Sequence, residues 1–129
     1  INMAGFMAHN IFAGLVKQFH WHDIEALQNQ NAQLIDTRTA KEYEKGHAPG
    51  FINMPLDELR NRLNELDPTR PVYVMCHTGI RSYIASRILV GHGFNVSNFS
   101  GGHSFYALVT KEAALSREVF DCGLEKCSR

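Results

Sequence analysis

The sequence lacks an excess of charge of either sign, since its 129 residues include 13 Lys and Arg and 13 Asp and Glu. A protein that binds nucleic acid or an anionic membrane surface electrostatically carries a basic excess, so we expect neither partner. No apolar run approaches the roughly 20 residues of a membrane-spanning helix, and no signal peptide is visible. These absences predict a soluble protein of the cytoplasm.

Cysteine is also scarce, with Cys76, Cys122 and Cys127 as the three examples. A small, odd number argues against a disulfide scaffold and predicts a reducing compartment with at least one free thiol. Cys122 and Cys127 could form a disulfide, react with Cys76, bind a metal or have no role. Because no third ligand clusters near them or near His20 and His22, we predict no metal site.

Short apolar segments alternate with helical patterns along the chain. Strands are expected at 19–21, 32–36, 51–54, 71–75 and 96–99, and helices at 2–17, 22–29, 40–45, 56–66, 80–91 and 104–108. Residues 110–120 could be helical, and 121–129 are expected to form a flexible tail. The alternation is typical of an α/β fold with a parallel sheet covered by helices on both faces.

The predicted first helix has an apolar stripe formed by Met3, Met7, Ile11 and Leu15. Such a stripe requires a partner surface, either on this domain or on a preceding one. The chain begins at Ile1 without an initiator Met, so we interpret it as a fragment of a longer protein or a trimmed chain.

The strongest chemical signal lies in the loop from Cys76 to Arg81. A buried strand is predicted to end at Cys76, and a helix to begin just past Gly79. Ligands of open α/β sheets bind at the carboxyl ends of the strands. The loop N–H groups, the helix N-terminus and the Arg81 guanidinium would stabilise a thiolate, so Cys76 is predicted to be a nucleophile at neutral pH. A buried, inert thiol is the alternative.

The other loop residues are expected to shape a small bowl around the sulfur. Gly79 supplies the backbone freedom for a tight cradle, and Ile80 is expected to anchor the loop to the core. The side chains of His77 and Thr78 would tune the choice of substrate. His77 could exchange a proton with a bound sulfur species, or it could simply face solvent.

The spacing from Cys76 to Arg81 leaves four residues between the two. A phosphatase loop of the C-x5-R kind is one residue longer and encloses a tetrahedral phosphate. The shorter loop suits a small anion or a bound sulfur, and it therefore favours sulfur transfer over phosphate hydrolysis.

Residues 19–109 resemble a rhodanese domain of the single-domain sulfurtransferase type. Four segments agree in order, namely 34–38 with 42–43, then 46–55, the 76–81 loop, and Gly101-Gly102 with Tyr106. The resemblance implies a five-stranded parallel sheet with helices on both faces. It also implies that Cys76 takes a sulfane sulfur from a donor and passes it from a persulfide to a thiol or to cyanide.

The same resemblance implies that Asp36 and Arg38 brace the active loop through hydrogen bonds and charge. From the sequence alone they could equally form a weak surface pair. Glu42 is interpreted as the acid of a capping box that begins at Thr39, and His47 as a structural residue of a turn. Two other functions stay open: a non-catalytic docking module on this fold, and a cysteine phosphatase or arsenate reductase.

Residues 2–21 resemble the end of flavin disulfide reductases fused to a rhodanese domain, such as coenzyme A disulfide reductases and NADH-dependent persulfide reductases. The resemblance implies that residues 1–18 end a preceding reductase domain. The full protein would reduce a CoA, persulfide or polysulfide substrate with NAD(P)H and FAD. This chain has no G-x-G-x-x-G fingerprint, so we expect those cofactors only on the reductase domain.

Overall fold

A five-stranded parallel sheet forms the centre of the computed structural model, which describes residues 2–30 and 32–121. The strands follow one another in space in the order β1-β5-β4-β2-β3. Their bounds are β1 Lys17–Phe19, β2 Gln33–Asp36, β3 Ile52–Asn53, β4 Val72–Met75 and β5 Val96–Phe99. The predicted five-stranded parallel sheet is thereby confirmed.

Helices and short turns connect the strands. The α-helices are α1 Met3–Phe12, α2 Ile24–Asn29, α3 Ala40–Glu44, α4 Ile80–Gly91 and α5 Gly102–Asp121. Three 3₁₀ turns cover Trp21–Asp23, Leu59–Asn61 and Leu63–Glu65.

The two faces of the sheet bury separate apolar clusters, because successive side chains of a strand point to opposite faces. One cluster joins Ile35, Val74 and Val96 to Ala85 and Leu89 of α4. The other joins alternate strand residues to α2 and consists of Phe19, Leu34, Met75, Phe99, Ile24 and Leu27, together with Ala48 and Phe51. Helices therefore cover both faces, as the strand pattern predicted.

The register of β2 and β4 determines what meets at the carboxyl edge of the sheet. Asp36 of β2 is paired with Met75 of β4, so the segments that follow these residues lie side by side. Thr37 extends the connection, since its N–H and its hydroxyl donate to the Met75 carbonyl at 2.8 and 3.0 Å. The loop that begins at Cys76 is thus held next to residues 36–38.

The helix predicted for residues 56–66 is wrong, because this segment forms two short 3₁₀ turns. Asp57, Asn61 and Asn64 have low helix propensity, since their side chains compete for backbone hydrogen bonds. Leu59 is nevertheless fully buried. The regular leucine spacing therefore marks core contacts, and it does not require a continuous helix.

The first helix is shorter than predicted and ends at Phe12. Gly14, with φ +72°, lies just past the helix and stops it, which leaves Lys17–Phe19 free to pair with β5 as an edge strand. No residue of α1 is buried, and Phe6 is 62% exposed. The assignment of residues 1–18 to a preceding reductase domain stays a prediction.

The last helix begins at Gly102, two residues before the predicted start, and joins the two predicted segments into one. Cys122 and Cys127 lie outside the described residues, so the interpretations of this pair stay predictions. Within residues 2–30 and 32–121 no helix combines the length and apolarity needed to cross a bilayer. In the same part of the chain, no three His, Cys, Asp or Glu side chains gather as a metal site would require.

Candidate active site

Cys76 follows β4 directly, and its side chain is buried with 1% exposure. The Gly79 N–H donates to its Sγ at 3.1 Å, and the Ser82 hydroxyl lies 3.3 Å from the same sulfur. The hydroxyl is also 3.1 Å from the Gly79 carbonyl, so its single proton is shared between two acceptors. The sulfur is thus buried among hydrogen-bond donors, which is the setting that a thiolate requires.

The backbone at Gly79 creates this setting. Gly79 has φ +113°, a left-handed conformation that L side chains rarely adopt, and it is the N-cap of α4. A Cβ atom there would meet nothing within 4 Å, so the requirement for glycine is conformational and not steric. The turn directs the Gly79 N–H at Sγ and places the positive end of the α4 dipole beside the sulfur.

The first turn of α5 is bound to the active loop by two backbone hydrogen bonds. The His103 N–H donates to the Cys76 carbonyl at 2.7 Å, and the Ser104 N–H donates to the His77 carbonyl at 3.1 Å. A Cβ atom on Gly102 would lie only 2.4 Å from the His77 oxygen. Sequence reasoning placed Gly101-Gly102 in a turn, but it did not find this close contact with the active loop.

Three loop side chains point away from the core. His77, Thr78 and Ile80 are exposed, with Ile80 at 50%. The expectation that Ile80 anchors the loop is wrong, because Ile80 begins α4 on its outer side while Ser82 faces the interior. The Ser104 hydroxyl lies 3.2 Å from His77 Nε2 and 2.9 Å from the His77 carbonyl. Proton exchange by His77 stays a prediction.

Arg81 binds Glu42 of α3 through two parallel hydrogen bonds. Its Nη1 and Nη2 donate to Glu42 Oε2 and Oε1, each at 2.7 Å, and both side chains are one-third exposed. The hydrogen bond to Arg81 holds the pKa of Glu42 far below its usual range. The pKa of Arg81 is raised, first by the hydrogen bond to Glu42 and to a smaller extent by the charge of Cys76.

Glu42 also closes the predicted capping box of α3. Its Oε2 accepts from the Thr39 N–H at 3.0 Å and from the Thr39 hydroxyl at 2.8 Å. The capping box is confirmed, but the partnership with Arg81, 39 residues away, was missed. A topological signal was available: α3 follows β2 and α4 follows β4, and residues 36–38 can brace the active loop only if these two strands are neighbours. The two helix N-termini therefore meet at one edge of the sheet.

Asp36 and Arg38 form a second ion pair, and it is not the surface pair allowed by the sequence. The side chains are 0% and 4% exposed, and Arg38 Nη2 lies 2.6 Å from Asp36 Oδ2. Arg38 also donates to the Gly46 carbonyl at 2.8 Å. Among the described residues, no hydrogen bond joins either side chain to the active loop. Their connection to it passes through Thr37 and the Met75 carbonyl.

His103 and His47 lie near this pair and in contrasting surroundings. Burial and, to a lesser extent, the charge of Arg38 lower the pKa of His103, so that its imidazole is neutral at pH 7. His47 stacks on Tyr43 with ring centroids 3.8 Å apart, and its Nδ1 lies 3.1 Å from the Tyr43 carbonyl. These contacts agree with the structural interpretation of His47, whereas sequence reasoning did not single out His103.

Comparison with known proteins places this geometry in a family. Residues 21–107 match the model of the rhodanese-like domain. The structure of reduced CoADR-RHD from Bacillus anthracis is 40% identical over 86% of this chain, with a TM-score of 0.81. An NAD-dependent persulfide reductase from A. fulgidus is 31% identical over 77% of this chain, with a TM-score of 0.65.

The relatives differ in how much of their length this chain spans. It spans 20% and 17% of the two solved structures, and between 22% and 59% of three curated relatives. Thiosulfate sulfurtransferase GlpE of Pseudomonas syringae pv. syringae is 31% identical over 64% of this chain and 78% of its own length. The matched family model, the parallel sheet and the cysteine loop after β4 together show that the chain belongs to the rhodanese-like domain family.

Proposed function

We propose that the chain is a sulfurtransferase that forms a persulfide on Cys76 and passes the outer sulfur to a thiol acceptor. The observation that carries the proposal is the pair of donors on Cys76 Sγ, the Gly79 N–H and the Ser82 hydroxyl, at the N-terminus of α4. The name of the GlpE relative, a thiosulfate sulfurtransferase, supports the same reaction class.

The transfer consists of two displacements at sulfur. The Cys76 thiolate attacks the sulfane sulfur of a donor, and the donor's bond to that sulfur breaks, so that the leaving group departs with the electron pair. The acceptor thiolate then attacks the outer sulfur of the persulfide, and the Cys76 thiolate departs. No external oxidant or reductant takes part, and donors at Sγ lower the cost of the anion in both steps.

The exposed side chains of the loop are the part that substrates meet first. His77 and Thr78 lie at the surface directly after Cys76, whereas Gly79 is buried. We assign donor and acceptor contact to His77, Thr78 and Ile80, and stabilisation of the sulfur anion to the backbone at Gly79. Asp36 and Arg38 keep the neighbouring segment in place through Thr37.

We also infer that the domain works within an FAD- and NAD(P)H-dependent reductase of a CoA-disulfide, persulfide or polysulfide substrate. The similarity to CoADR-RHD and to the NAD-dependent persulfide reductase supports this context. Both cofactors would be held by the reductase domain. A flavin reductase coding region immediately upstream of Ile1 in the gene would support the assignment, and an unrelated upstream region would contradict it.

Intact mass spectrometry tests the sulfurtransferase proposal. The chain is incubated with thiosulfate or with an organic persulfide, and we expect an adduct of one sulfur atom that later transfers to a small thiol. The Cys76→Ser variant should form none, and a Cys122→Ser/Cys127→Ser variant should form it normally. A wild-type chain that stays unmodified by either donor would overturn the proposal.

The burial of Cys76 keeps a docking module as the second candidate, since an inert core thiol has the same low exposure. Alkylation by iodoacetamide as a function of pH separates the two. A sulfurtransferase cysteine reacts already at neutral pH, whereas an idle one reacts only near the pH at which an ordinary thiol ionises, about 8.5. Hydrolysis of an aryl phosphate that is lost in Cys76→Ser would instead favour the phosphatase alternative.

A further inference from the structure

Glu42 cancels the charge of the one arginine in the active loop. Both Nη atoms of Arg81 are bound to both carboxylate oxygens of Glu42, at 2.7 Å each. We propose that Glu42 determines donor specificity by disfavouring the dianion thiosulfate relative to a neutral organic persulfide as the donor to Cys76. The inference rests on the proposed function and concerns the donor in its first step.

The two ion pairs described for residues 36–81 carry no net charge. Asp36 with Arg38 and Glu42 with Arg81 are complete carboxylate–guanidinium pairs. Glu42 remains ionised throughout the physiological range, since its pKa lies far below the usual value. His103 adds no charge at pH 7, because burial lowers its pKa. Stabilisation of an incoming anion is therefore left to N–H and hydroxyl donors.

The two donor classes differ in the charge that they bring to the sulfur. When a Cys76 thiolate attacks thiosulfate, one negative charge meets two more, and the leaving group is the sulfite dianion. When it attacks a protonated persulfide, R–S–SH, the reacting pair carries a single negative charge, and the leaving group is a thiolate. The first reaction gains far more from an unpaired cation than the second, and the ion pair withholds that cation.

Glu42 cannot move aside without losing other contacts. Besides Arg81, its Oε2 accepts from the Thr39 N–H and the Thr39 hydroxyl at the start of α3. A thiosulfate ion that recruited Arg81 would have to displace the bidentate hydrogen bonds that Glu42 already makes to it. The capping box thus keeps Arg81 neutralised during the reaction.

The Glu42→Gln variant tests the inference because it removes the charge while keeping the size of the side chain. The rate of Cys76 loading is measured against concentration for thiosulfate and for the persulfide of N-acetylcysteamine. We expect the ratio of the two loading efficiencies to shift toward thiosulfate by at least about fivefold, chiefly through a lower KM for thiosulfate. Glu42→Asp, which retains the charge, should keep a ratio near that of the wild type.

Glu44→Gln is the matched control, because Glu44 is an exposed acid on the same short helix. Its ratio should stay within about twofold of the wild type, since an exposed charge outside an ion pair is largely screened. An unchanged ratio in Glu42→Gln, or an equal shift in Glu44→Gln, would overturn the inference while leaving the proposed function intact. Failure of both donors to load Cys76 in the wild type would overturn both.

Ionic strength provides a second measurement that needs no variant. If Arg81 is neutralised, the thiolate and thiosulfate meet as like charges, and added salt speeds loading by screening their repulsion. If Arg81 is available to the donor, attraction dominates and salt slows the reaction. Thiosulfate loading of the wild type that falls as potassium chloride rises from low to physiological concentration would contradict the inference.

Discussion

The two ion pairs beside the active loop are both carboxylate–guanidinium pairs, but they differ in burial and in the sequence separation of their partners. Asp36 and Arg38 are two residues apart and almost fully buried, whereas Glu42 and Arg81 are 39 residues apart and one-third exposed. The buried pair binds the backbone of the neighbouring turn through Gly46. The exposed pair connects the start of α3 to the start of α4, the helix whose N-cap residue Gly79 donates to Cys76 Sγ.

The difference in burial gives the two ion pairs different roles, one in the stability of the fold and the other in the reactivity of Cys76. A buried ion pair is costly to break, because removal of one partner leaves an uncompensated charge in the interior. An ion pair that is one-third exposed contributes little to stability, since water screens it. Glu42 and Arg81 are therefore free to tune the charge at the sulfur, while Asp36 and Arg38 maintain the scaffold on which that tuning depends.

Loss of the buried arginine should have the largest effect on stability. Arg38→Ala leaves the buried Asp36 without its counter-ion, and we expect the free energy of unfolding to fall by about 3–5 kcal/mol. Urea denaturation followed by circular dichroism measures it. Arg60→Ala is the control at an exposed arginine and should change stability by less than about 0.5 kcal/mol. Equal losses in the two variants would show that the buried pair stabilises the fold no more than an exposed arginine does.

Gly102 offers an uncharged contact against which both pairs can be compared. In Gly102→Ala the new Cβ would lie 2.4 Å from the His77 carbonyl oxygen, so the loop or α5 must shift. We expect a loss of about 1–3 kcal/mol in stability together with a changed rate of Cys76 alkylation.

Gly93→Ala is the matched control for that variant, because both glycines have a positive φ, +67° at Gly102 and +86° at Gly93, but a Cβ on Gly93 would meet nothing within 4 Å. It should show the cost of the backbone conformation alone, with normal alkylation of Cys76. If both glycine variants alkylate at the wild-type rate, the contact between α5 and the loop does not control the thiol.

The sequence predicted those parts of the molecule that depend on local pattern. The strand before Cys76, the helix after Gly79 and the capping box at Thr39 each follow from spacing within a few residues. The structure confirms all three. The alternation of strand and helix patterns also predicted the parallel sheet, because it leaves few other arrangements.

What the sequence did not reveal depends on contacts between distant segments. Local pattern assigned Glu42 only to its own helix, and its bond to Arg81 exists because β2 and β4 are neighbours. The contact of Gly102 with His77 likewise requires the packing of α5 behind the loop. Ile80 is an error of the opposite kind, a contact that was expected but does not form. This hydrophobic residue at the start of a helix was assigned to the core, and it lies at the surface.

Arg81→Ala should affect reactivity more than stability, in contrast to Arg38→Ala. It leaves Glu42 without its counter-ion at the end of the active loop, and we expect slower sulfur loading with either donor because the local charge becomes negative. Stability should fall by no more than about 1 kcal/mol, given the exposure of the pair. Stopped-flow kinetics measures the rate of sulfur loading, and the urea midpoint measures the loss of stability.

The double variant Glu42→Gln/Arg81→Ala restores neutrality and should recover part of the loading rate lost in Arg81→Ala. A double variant as slow as Arg81→Ala would show that Arg81 contributes geometry and not charge. A rate equal to that of the wild type in Arg81→Ala itself would show that the backbone donors at Gly79 and the Ser82 hydroxyl suffice.

The smallest expected effect is the pH dependence of the stability that the Glu42–Arg81 pair contributes. The pKa of Glu42 in the folded chain lies below its ordinary value of 4.5, so the unfolded chain takes up the proton first as the pH falls. The stability that Glu42 contributes is therefore complete above pH 4.5 and is lost progressively below it. The difference in urea midpoint between wild type and Glu42→Gln should narrow over this acidic range, whereas Glu44→Gln, which removes an exposed acid, should show no comparable trend.

A difference in urea midpoint that stays constant down to the acid limit of folding would mean that the contacts of Glu42 stabilise the chain without its charge. The exposed pair would then resemble the buried pair in being structural, and the division between scaffold and tuning would fail.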